Sequence, residues 1–242
     1  MTPVNQKGSL YLIPTPLGKT PSNNSLPPAV IETIHTMDTF LVENIQGAVR
    51  FFQWIKHPVP DYKLKLYLLT KKTRPEEKSE YLGLFRNGTN VGIISDAGCP
   101  AIADPGAEMV KMAHLRGIPV VPLVGPSSIL LALMGSGMNG QQFAFHGYLP
   151  LDKNALRAAI TRLEQESSSL RQTQIFMETP HRNNVLLKEL INLCRGETRI
   201  CVGVNITLPD EQILTMTAED WKASRLPDLL KKPAIFLIEA AV

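Results

Sequence analysis

The sequence predicts an α/β fold made of two α/β domains that follow one another along the chain. Short apolar runs alternate with longer amphipathic segments over all 242 residues, which is typical of strands that alternate with helices. Hydrophobic residues make up 44% of the chain and charged residues 19%, so the chain can bury a core. This length suits two compact domains.

The first half contains five predicted strands, each a short apolar run bounded by turn-forming residues. A loop rich in Pro, Ser and Asn, residues 15–25, follows the first of them. The helix over residues 105–116 has the clearest ends, with Asp104 as N-cap, Pro105 at its first position and Gly117 just beyond it. The predicted strands are 10–13, 39–42, 64–69, 91–94 and 118–124, and the other predicted helices are 27–36, 49–54 and 76–85.

The second half repeats the alternation. Pro119 and Pro122 interrupt the last strand of the first half, and prolines are expected at sheet edges and element ends. We therefore place the domain boundary within residues 119–126, which gives domains over residues 1–122 and 123–242. The predicted strands of the second domain are 143–145, 175–177, 200–204 and 234–238, and its predicted helices are 129–134, 154–169, 184–194 and 218–224.

Composition argues against several classes of protein. The net charge of +3 is mildly basic and does not by itself indicate nucleic acid. The N-terminus lacks the apolar segment of a signal peptide, and no apolar run reaches the roughly 18 residues that span a bilayer. The three cysteines and five histidines form no metal-ligand pattern. We expect a cytoplasmic protein without disulfides, membrane spans or metal sites.

Residues 95–106 form the strongest candidate ligand loop, because they leave a buried strand and enter a capped helix. Ligands of open α/β sheets bind at the carboxyl ends of strands. Gly98 and Gly106 allow backbone to approach a ligand closely, and Asp96 can accept hydrogen bonds from hydroxyl or amino groups. A helix-capping turn is the alternative, and Asp104 fits that role. Two Asp, two Gly and two Pro in twelve residues exceed what a turn needs.

Four further motifs are weaker when each is taken alone. Residues 135–140 match GxGxxG but follow a helix and precede a strand, so they indicate a helix C-terminus and a turn. Residues 125–128, Gly-Pro-Ser-Ser, precede an apolar helix and suit either an anion or ordinary capping. Residues 15–18 form a turn at a strand's carboxyl end. Residues 178–182, Glu-Thr-Pro-His-Arg, suit either substrate binding or a local ion pair.

Together these segments resemble the tetrapyrrole (corrin/porphyrin) methylase superfamily. The branch that the chain resembles most closely is the ribosomal small-subunit methyltransferase I type, which methylates a cytidine ribose 2′-hydroxyl in 16S rRNA. The resemblance covers nearly the whole chain. Its strongest segments are residues 11–18, 94–106, 120–128, 145–150 and 177–182.

The resemblance implies a methyltransferase that binds S-adenosylmethionine, folded in a cleft between two α/β domains, and a homodimer. It places part of the cofactor site in each domain. Thr15, Pro16 and Gly18 would lie near the substrate side of the cleft. The implied cofactor-binding residues are Thr15, Pro16, Gly18, Ser95, Asp96, Ala97, Gly98, Ile102, Ser127, Ser128, Met177 and Val204.

The chain departs from the rRNA branch in its charged motifs. Residues 43–46 read Glu-Asn-Ile-Gln where the branch carries Glu-Asp-Thr-Arg, and residues 204–208 read Val-Asn-Ile-Thr-Leu where it carries Arg-Glu-(Leu/Ile)-Thr-Lys. The methyl acceptor therefore stays open between rRNA of the small ribosomal subunit and a small tetrapyrrole-like molecule. Cofactor binding without catalysis is the third hypothesis.

Two side chains are candidates for a catalytic base, and one segment is a candidate RNA contact. Glu43 is the first choice of base by its position in the resemblance, and Asp96 is the second. Residues 50–78 carry eight Lys or Arg against three acids. Such a segment can neutralise phosphates, or it can be an ordinary solvated surface.

Overall fold

The computed structural model describes residues 7–18 and 25–241. Its contacts divide the chain into two compact units that meet between Pro126 and Ser127. The domain boundary after residue 122 remains a prediction. Both units combine one five-stranded sheet with helices, so the predicted α/β class is confirmed.

The sheet of the first unit is entirely parallel, with the strand order β3-β2-β4-β1-β5. Its central strands are continuous apolar runs because helices cover both faces of the sheet. β2 and β4 are buried along their whole length. β5 is an edge strand, which explains how it accommodates Pro122. The strands are β1 (Leu10–Ile13), β2 (Thr39–Val42), β3 (Lys65–Leu68), β4 (Val91–Ile94) and β5 (Val120–Pro122).

The helices of this unit lie on two faces of the sheet. α1 (Pro28–His35) and α2 (Ile45–Trp54) pack on one face, around Phe40 and Phe52. α4 (Gly106–Leu115) and the 3₁₀ segment Leu82–Gly88, which follows α3 (Pro75–Tyr81), pack on the other.

This arrangement creates a switch in chain direction at the carboxyl edge of the sheet. β1 and β4 are neighbours, yet the chain leaves β1 for one face and β4 for the other. The two connections separate at this point and leave a crevice between them. In open α/β sheets such a crevice is the usual position of a ligand.

The second unit has a mixed sheet with the order β6-β7-β10-β8-β9, in which only β6 and β7 pair in parallel. α6, α7 and α8 cover one face and enclose a core around Phe176 and Trp221. α5 packs on the other face, close to Gly203 and Ile213. The strands are β6 (Phe143–Tyr148), β7 (Thr173–Met177), β8 (Arg199–Val204), β9 (Gln212–Thr217) and β10 (Ala234–Glu239), and the helices are α5 (Ser128–Ser136), α6 (Lys153–Leu170), α7 (Asn183–Leu193) and α8 (Ala218–Ala223).

Four details of the predicted elements were wrong. β9 was not predicted, and α2 begins at Ile45 rather than at residue 49. The predicted helix 76–85 is α3 followed by the 3₁₀ segment, and the predicted strand 118–124 shortens to β5. The GxGxxG segment was predicted correctly as a helix end, because Gly137 takes the left-handed conformation directly after α5.

The N-cap of α4 also needs correction. Pro105, and not Asp104, occupies the N-cap position, and the helix starts at Gly106. Asp104 still accepts a hydrogen bond from the Gly106 amide at 2.7 Å. It bonds the Ala101 amide as well, at 2.8 Å, so its carboxylate ties the preceding loop to the helix start.

None of the helices in residues 7–18 and 25–241 combines the length and the apolar character needed to cross a membrane.

Candidate functional site

A cavity of about 490 Å³ opens at the carboxyl edge of the first sheet. This volume lies within the range of small-molecule sites. The loops that follow β1, β2 and β4 form its floor, and α2 forms one wall. Its lining residues are Thr15, Pro16, Leu17, Gly18, Val42, Glu43, Asn44, Gly47, Ala48, Arg50, Phe51, Trp54, Ile94, Ser95, Asp96 and Ala97.

Hydrogen bonds join the loop after β1 to the loop after β4. The Thr15 amide donates to the Gly98 carbonyl at 3.0 Å, and the Gly98 amide donates back to Thr15 at 3.1 Å. The Thr15 hydroxyl donates to the Ser95 carbonyl at 3.2 Å. Gly98 has a φ of +74°, a conformation that other residues adopt only with strain. The hydrogen bonds therefore fix the backbone that lines the crevice.

Glu43 is the most perturbed acid of the cavity. Burial, followed by the charges of Asp104 and Asp96, raises its pKa to about 7, and the nearby Lys71 opposes this increase. This carboxyl group therefore changes its charge near neutral pH. A group with this pKa is well suited to accept a proton at physiological pH.

Asp96 and Asp104 meet different surroundings. Asp96 is exposed on the cavity side, and a Cβ added at Gly47 of α2 would lie only 3.5 Å from its carboxylate. The Asp104 carboxyl has a raised pKa because of burial, although the Gly106 and Ala101 amides donate to it and oppose the increase. Asp104 is thus occupied by its own loop, whereas Asp96 faces the space where a ligand would lie.

The wall formed by α2 was not predicted from the sequence. Asn44 caps the helix by accepting from the Gly47 amide at 3.0 Å. Gly47, Phe51 and Trp54 then line the cavity at helical spacing, with the Phe51 and Trp54 rings 6.2 Å apart. Arg50 adds a cation to the same wall. The i, i+4, i+7 spacing was the available signal, but it is visible only when the helix begins at residue 45.

Ile102 does not line this cavity. It lies between Ala101 and Ala103, which have φ angles of 67° and 61°, and its side chain is 53% exposed. Left-handed alanines are costly and persist where the surrounding structure imposes them. The predicted contact of Ile102 with a cofactor therefore stays a prediction.

The predicted cofactor residues of the second unit share one edge of its own sheet. Met177 ends β7 and Val204 ends β8, and both strands run antiparallel to β10, so their carboxyl ends coincide. Arg199, at the start of β8, donates to the carbonyl of Gly137 just after α5, at 3.1 Å. α5 therefore runs opposite to β8. Its start, at Ser127 and Ser128, lies toward the edge where Val204 is found.

Residues 178–182 form a local ion pair. Glu178 is buried, and its carboxylate lies 3.3 Å from the Arg182 guanidinium. The other carboxylate oxygen accepts from the Thr179 amide at 2.6 Å. Of the two interpretations of this motif, the structure contains the ion pair.

A parallel sheet whose loops carry acids beside a crevice is typical of α/β proteins that bind a ligand at this edge. More specifically, the chain belongs to the tetrapyrrole (corrin/porphyrin) methylase family, which it matches over residues 9–222. The resemblance seen in its motifs is thereby confirmed.

Two curated relatives share the same name, ribosomal RNA small subunit methyltransferase I. The protein of Micromonospora olivasterospora is 34% identical over 207 residues, which cover 86% of this chain and 62% of the relative. The protein of Pseudomonas aeruginosa is 28% identical over 220 residues, or 90% of this chain and 74% of the relative. The chain thus spans less than two thirds of the first relative's length.

The fold also matches a solved structure, that of the methyltransferase CobJ. The TM-score is 0.62 with 16% identity, over 97% of this chain and 95% of the other. At this identity the comparison supports the fold alone.

Proposed function

We propose that the protein is an S-adenosylmethionine-dependent methyltransferase that acts on a cytidine ribose 2′-hydroxyl in small-subunit rRNA. The observation that carries the proposal is Glu43, a carboxyl with a pKa of about 7 in the cavity at the carboxyl edge. The names of the two relatives support the choice of rRNA. The proposal includes a cytoplasmic homodimer as the working form.

The donor groups of the site fit the proposed cofactor. S-adenosylmethionine supplies an electrophilic methyl group on a cationic sulfonium, and it also carries an amino group and hydroxyls. The exposed Asp96 carboxylate can accept hydrogen bonds from such groups, and the acids of this edge suit a cation. We assign the cofactor to the loops after β1 and β4; the contacts of Ser127, Ser128, Met177 and Val204 remain predictions from the resemblance.

Glu43 is assigned as the base that accepts the acceptor hydroxyl's proton. When bound, the cofactor would supply its methyl group to the hydroxyl oxygen and leave as the neutral thioether, and the Glu43 carboxylate would accept the hydroxyl proton. Because a free ribose hydroxyl is a poor nucleophile, removal of its proton contributes roughly 10²–10⁴-fold to such a reaction. The hydrogen bonds between the loops after β1 and β4 hold the backbone of the site in place during the transfer.

The test is methyl transfer from tritium-labelled S-adenosylmethionine to 30S subunits, followed by mapping of ribose methylation by reverse transcription. We expect label in 16S rRNA and one new stop. Glu43→Gln should lower kcat by about 10²–10⁴-fold while calorimetry gives an unchanged Kd for the cofactor. Absence of label from the RNA with wild-type protein would refute the assigned substrate.

One observation favours a second candidate, a planar small-molecule acceptor. Phe51 and Trp54 present aromatic surface to the cavity, and aromatic rings stack on planar ligands. The same assay with a tetrapyrrole in place of 30S subunits distinguishes the two acceptors. Cofactor binding without transfer to either acceptor would instead indicate a protein that has lost catalysis.

A further inference from the structure

A second cavity, of about 420 Å³, lies at the opposite, amino edge of the first sheet. The chain enters β1, β4 and β5 at this edge. Lys7 precedes β1, the 3₁₀ segment Leu82–Gly88 precedes β4, and Arg116 precedes β5. The Gly8 amide donates to the Phe85 carbonyl at 3.0 Å and joins two of these walls. The cavity is therefore separate from the one that contains Glu43.

Three cations surround this cavity. Lys7, Arg86 and Arg116 all contribute to its lining and all are exposed, and no Asp or Glu among the described residues lines it. Within residues 7–18 and 25–241, none of the three has a carboxylate within 4.0 Å. Residues 1–6, 19–24 and 242 contain no Asp or Glu in their sequence. Like charges that converge without a counter-ion create a local positive potential.

The backbone contributes to this convergence. The Lys7 ammonium donates to the Arg116 carbonyl at 2.6 Å, which holds it against the Arg116 backbone at the cavity. This bond uses one of three ammonium protons, and the other two remain available to a ligand. Both guanidinium groups can donate in pairs to one oxyanion.

The remaining lining residues suit the same kind of ligand. Ser79 and Asn87 offer neutral hydrogen-bond groups at the rim. Leu82, Phe85 and Ile118 form an apolar floor, and Phe85 and Ile118 are only 1% and 4% exposed. A cavity with a cationic rim and an apolar floor matches an anionic group attached to an organic body.

We propose that this amino-edge cavity binds a phosphate group, carried either by a free nucleotide or by an RNA strand. A phosphate group offers several charged oxygens. Three cations without a carboxylate partner in the described residues can bind these oxygens together. The site lies outside the machinery of methyl transfer, so it does not depend on the proposed function.

The first experiment measures the thermal stabilisation of the full chain by inorganic pyrophosphate, against sodium chloride of equal ionic strength. A ligand that binds only the folded state raises Tm with its concentration. We expect a rise in the wild type, loss of most of it in R86A/R116A, and an unchanged rise in R225A. Arg225 is an exposed arginine of the second unit and serves as the matched control.

The second experiment separates the two sources of phosphate. A fluorescent RNA oligonucleotide is titrated with each variant, and unlabelled AMP or pyrophosphate is then added as competitor. An RNA source predicts at least about tenfold weaker RNA binding by R86A/R116A. A nucleotide source predicts unchanged RNA binding and loss of AMP-dependent stabilisation.

Equal pyrophosphate shifts in the wild type and in R86A/R116A, or no shift in either, would overturn the proposal. Circular dichroism of R86A/R116A checks that the variant is folded. Methyl transfer to 30S subunits is measured separately, so failure of this site and failure of the proposed function are distinguishable.

Discussion

Glu43, Asp96 and Asp104 gather at one edge of the first sheet, and their surroundings separate their roles. Asp104 is held by two backbone amides of its own loop. Asp96 is exposed in the cavity, where a ligand can reach it. Glu43 is half-buried, and the two neighbouring acids help to keep its proton in place. The same side-chain chemistry thus gives a loop tie at Asp104, an exposed carboxylate at Asp96 and, in the proposed function, a proton acceptor at Glu43.

Removal of one cation near Glu43 should shift the pH profile of the reaction. Lys71 lowers the pKa of Glu43, so Lys71→Met should raise it and move the midpoint of kcat against pH upward from about 7. The measurement is the initial rate of methyl transfer between about pH 5.5 and 9. Lys72→Met removes the adjacent exposed charge and is the matched control. Coincident midpoints for wild type and Lys71→Met would contradict the assigned role of Glu43.

Glu43 should also affect stability in a pH-dependent way. Its pKa is raised from 4.5 in a model peptide to about 7 in the fold, so the folded state retains a proton that the unfolded state releases. Its effect is therefore to lower stability as pH rises through this window, and the loss is complete above about 7. Relative to wild type, Glu43→Gln should gain about 1 kcal/mol in free energy of unfolding at about pH 8, a modest value because water screens a half-exposed group. At about pH 4 the gain should be small, because the carboxyl is largely protonated in both states.

Thermal unfolding at the two pH values measures this difference, which corresponds to about 2–4 °C in Tm for a chain of this size. Glu32→Gln, at an exposed position of α1, should show no such change between the two values. A larger gain for Glu43→Gln at acid pH would show that the sign is wrong.

At the scale of elements, the sequence was most informative where local pattern and tertiary position agree. β2 and β4 could be predicted because strands buried on both faces are continuous apolar runs. β9 could not, because it is a partly exposed edge strand whose apolar residues, Ile213, Leu214 and Met216, do not alternate regularly. Gly47 obscured the start of α2, since glycine disfavours helix.

The candidate site was predictable in part for the same reason. The loops after β1 and β4 carry recognisable Gly, Pro and Asp patterns, and both line the cavity. The wall contributed by Arg50, Phe51 and Trp54 could not be assigned, because ordinary helix residues become lining residues only through the position of α2. Burial and neighbouring charge, which set the pKa of Glu43, also exist only in the folded chain.

Gly92 offers a test of how tightly the first sheet is packed. A Cβ at this position of β4 would lie 2.5 Å from the Ile13 Cδ1 atom and 2.6 Å from the Phe40 Cδ1 atom. Gly92→Ala should therefore lower the free energy of unfolding by about 1–3 kcal/mol. Gly83→Ala is the control, because nothing lies within 4 Å of its added Cβ, and it should be neutral or stabilising by about 0.4–1 kcal/mol. Urea unfolding compares the two, and equal midpoints would contradict the packing argument.

At the scale of the whole molecule, the basic segment 50–78 presents fewer cations than its sequence count indicates. Lys78 is buried and pairs with Glu108, so it is unavailable to a partner. Lys65 and Arg74 pair with Asp38 and Glu77. The remaining cations are exposed and have no carboxylate within 4.0 Å in the described part of the chain; they are Arg50, Lys56, Lys63, Lys71 and Lys72.

Those five cations lead to a prediction about RNA binding, which rests on the proposed function. Each phosphate contact to single-stranded RNA lowers the slope of log K against log salt by about 0.7. Lys71→Ala/Lys72→Ala should therefore bind a labelled RNA oligonucleotide more weakly and reduce the steepness of that slope by about 1.4. Fluorescence anisotropy at several potassium chloride concentrations measures the slope.

Lys222→Ala/Arg225→Ala removes two exposed cations of the second unit and should leave the slope as in wild type. If both double variants reduced the steepness of the slope equally, RNA binding would reflect overall charge, and the segment 50–78 would be an ordinary solvated surface.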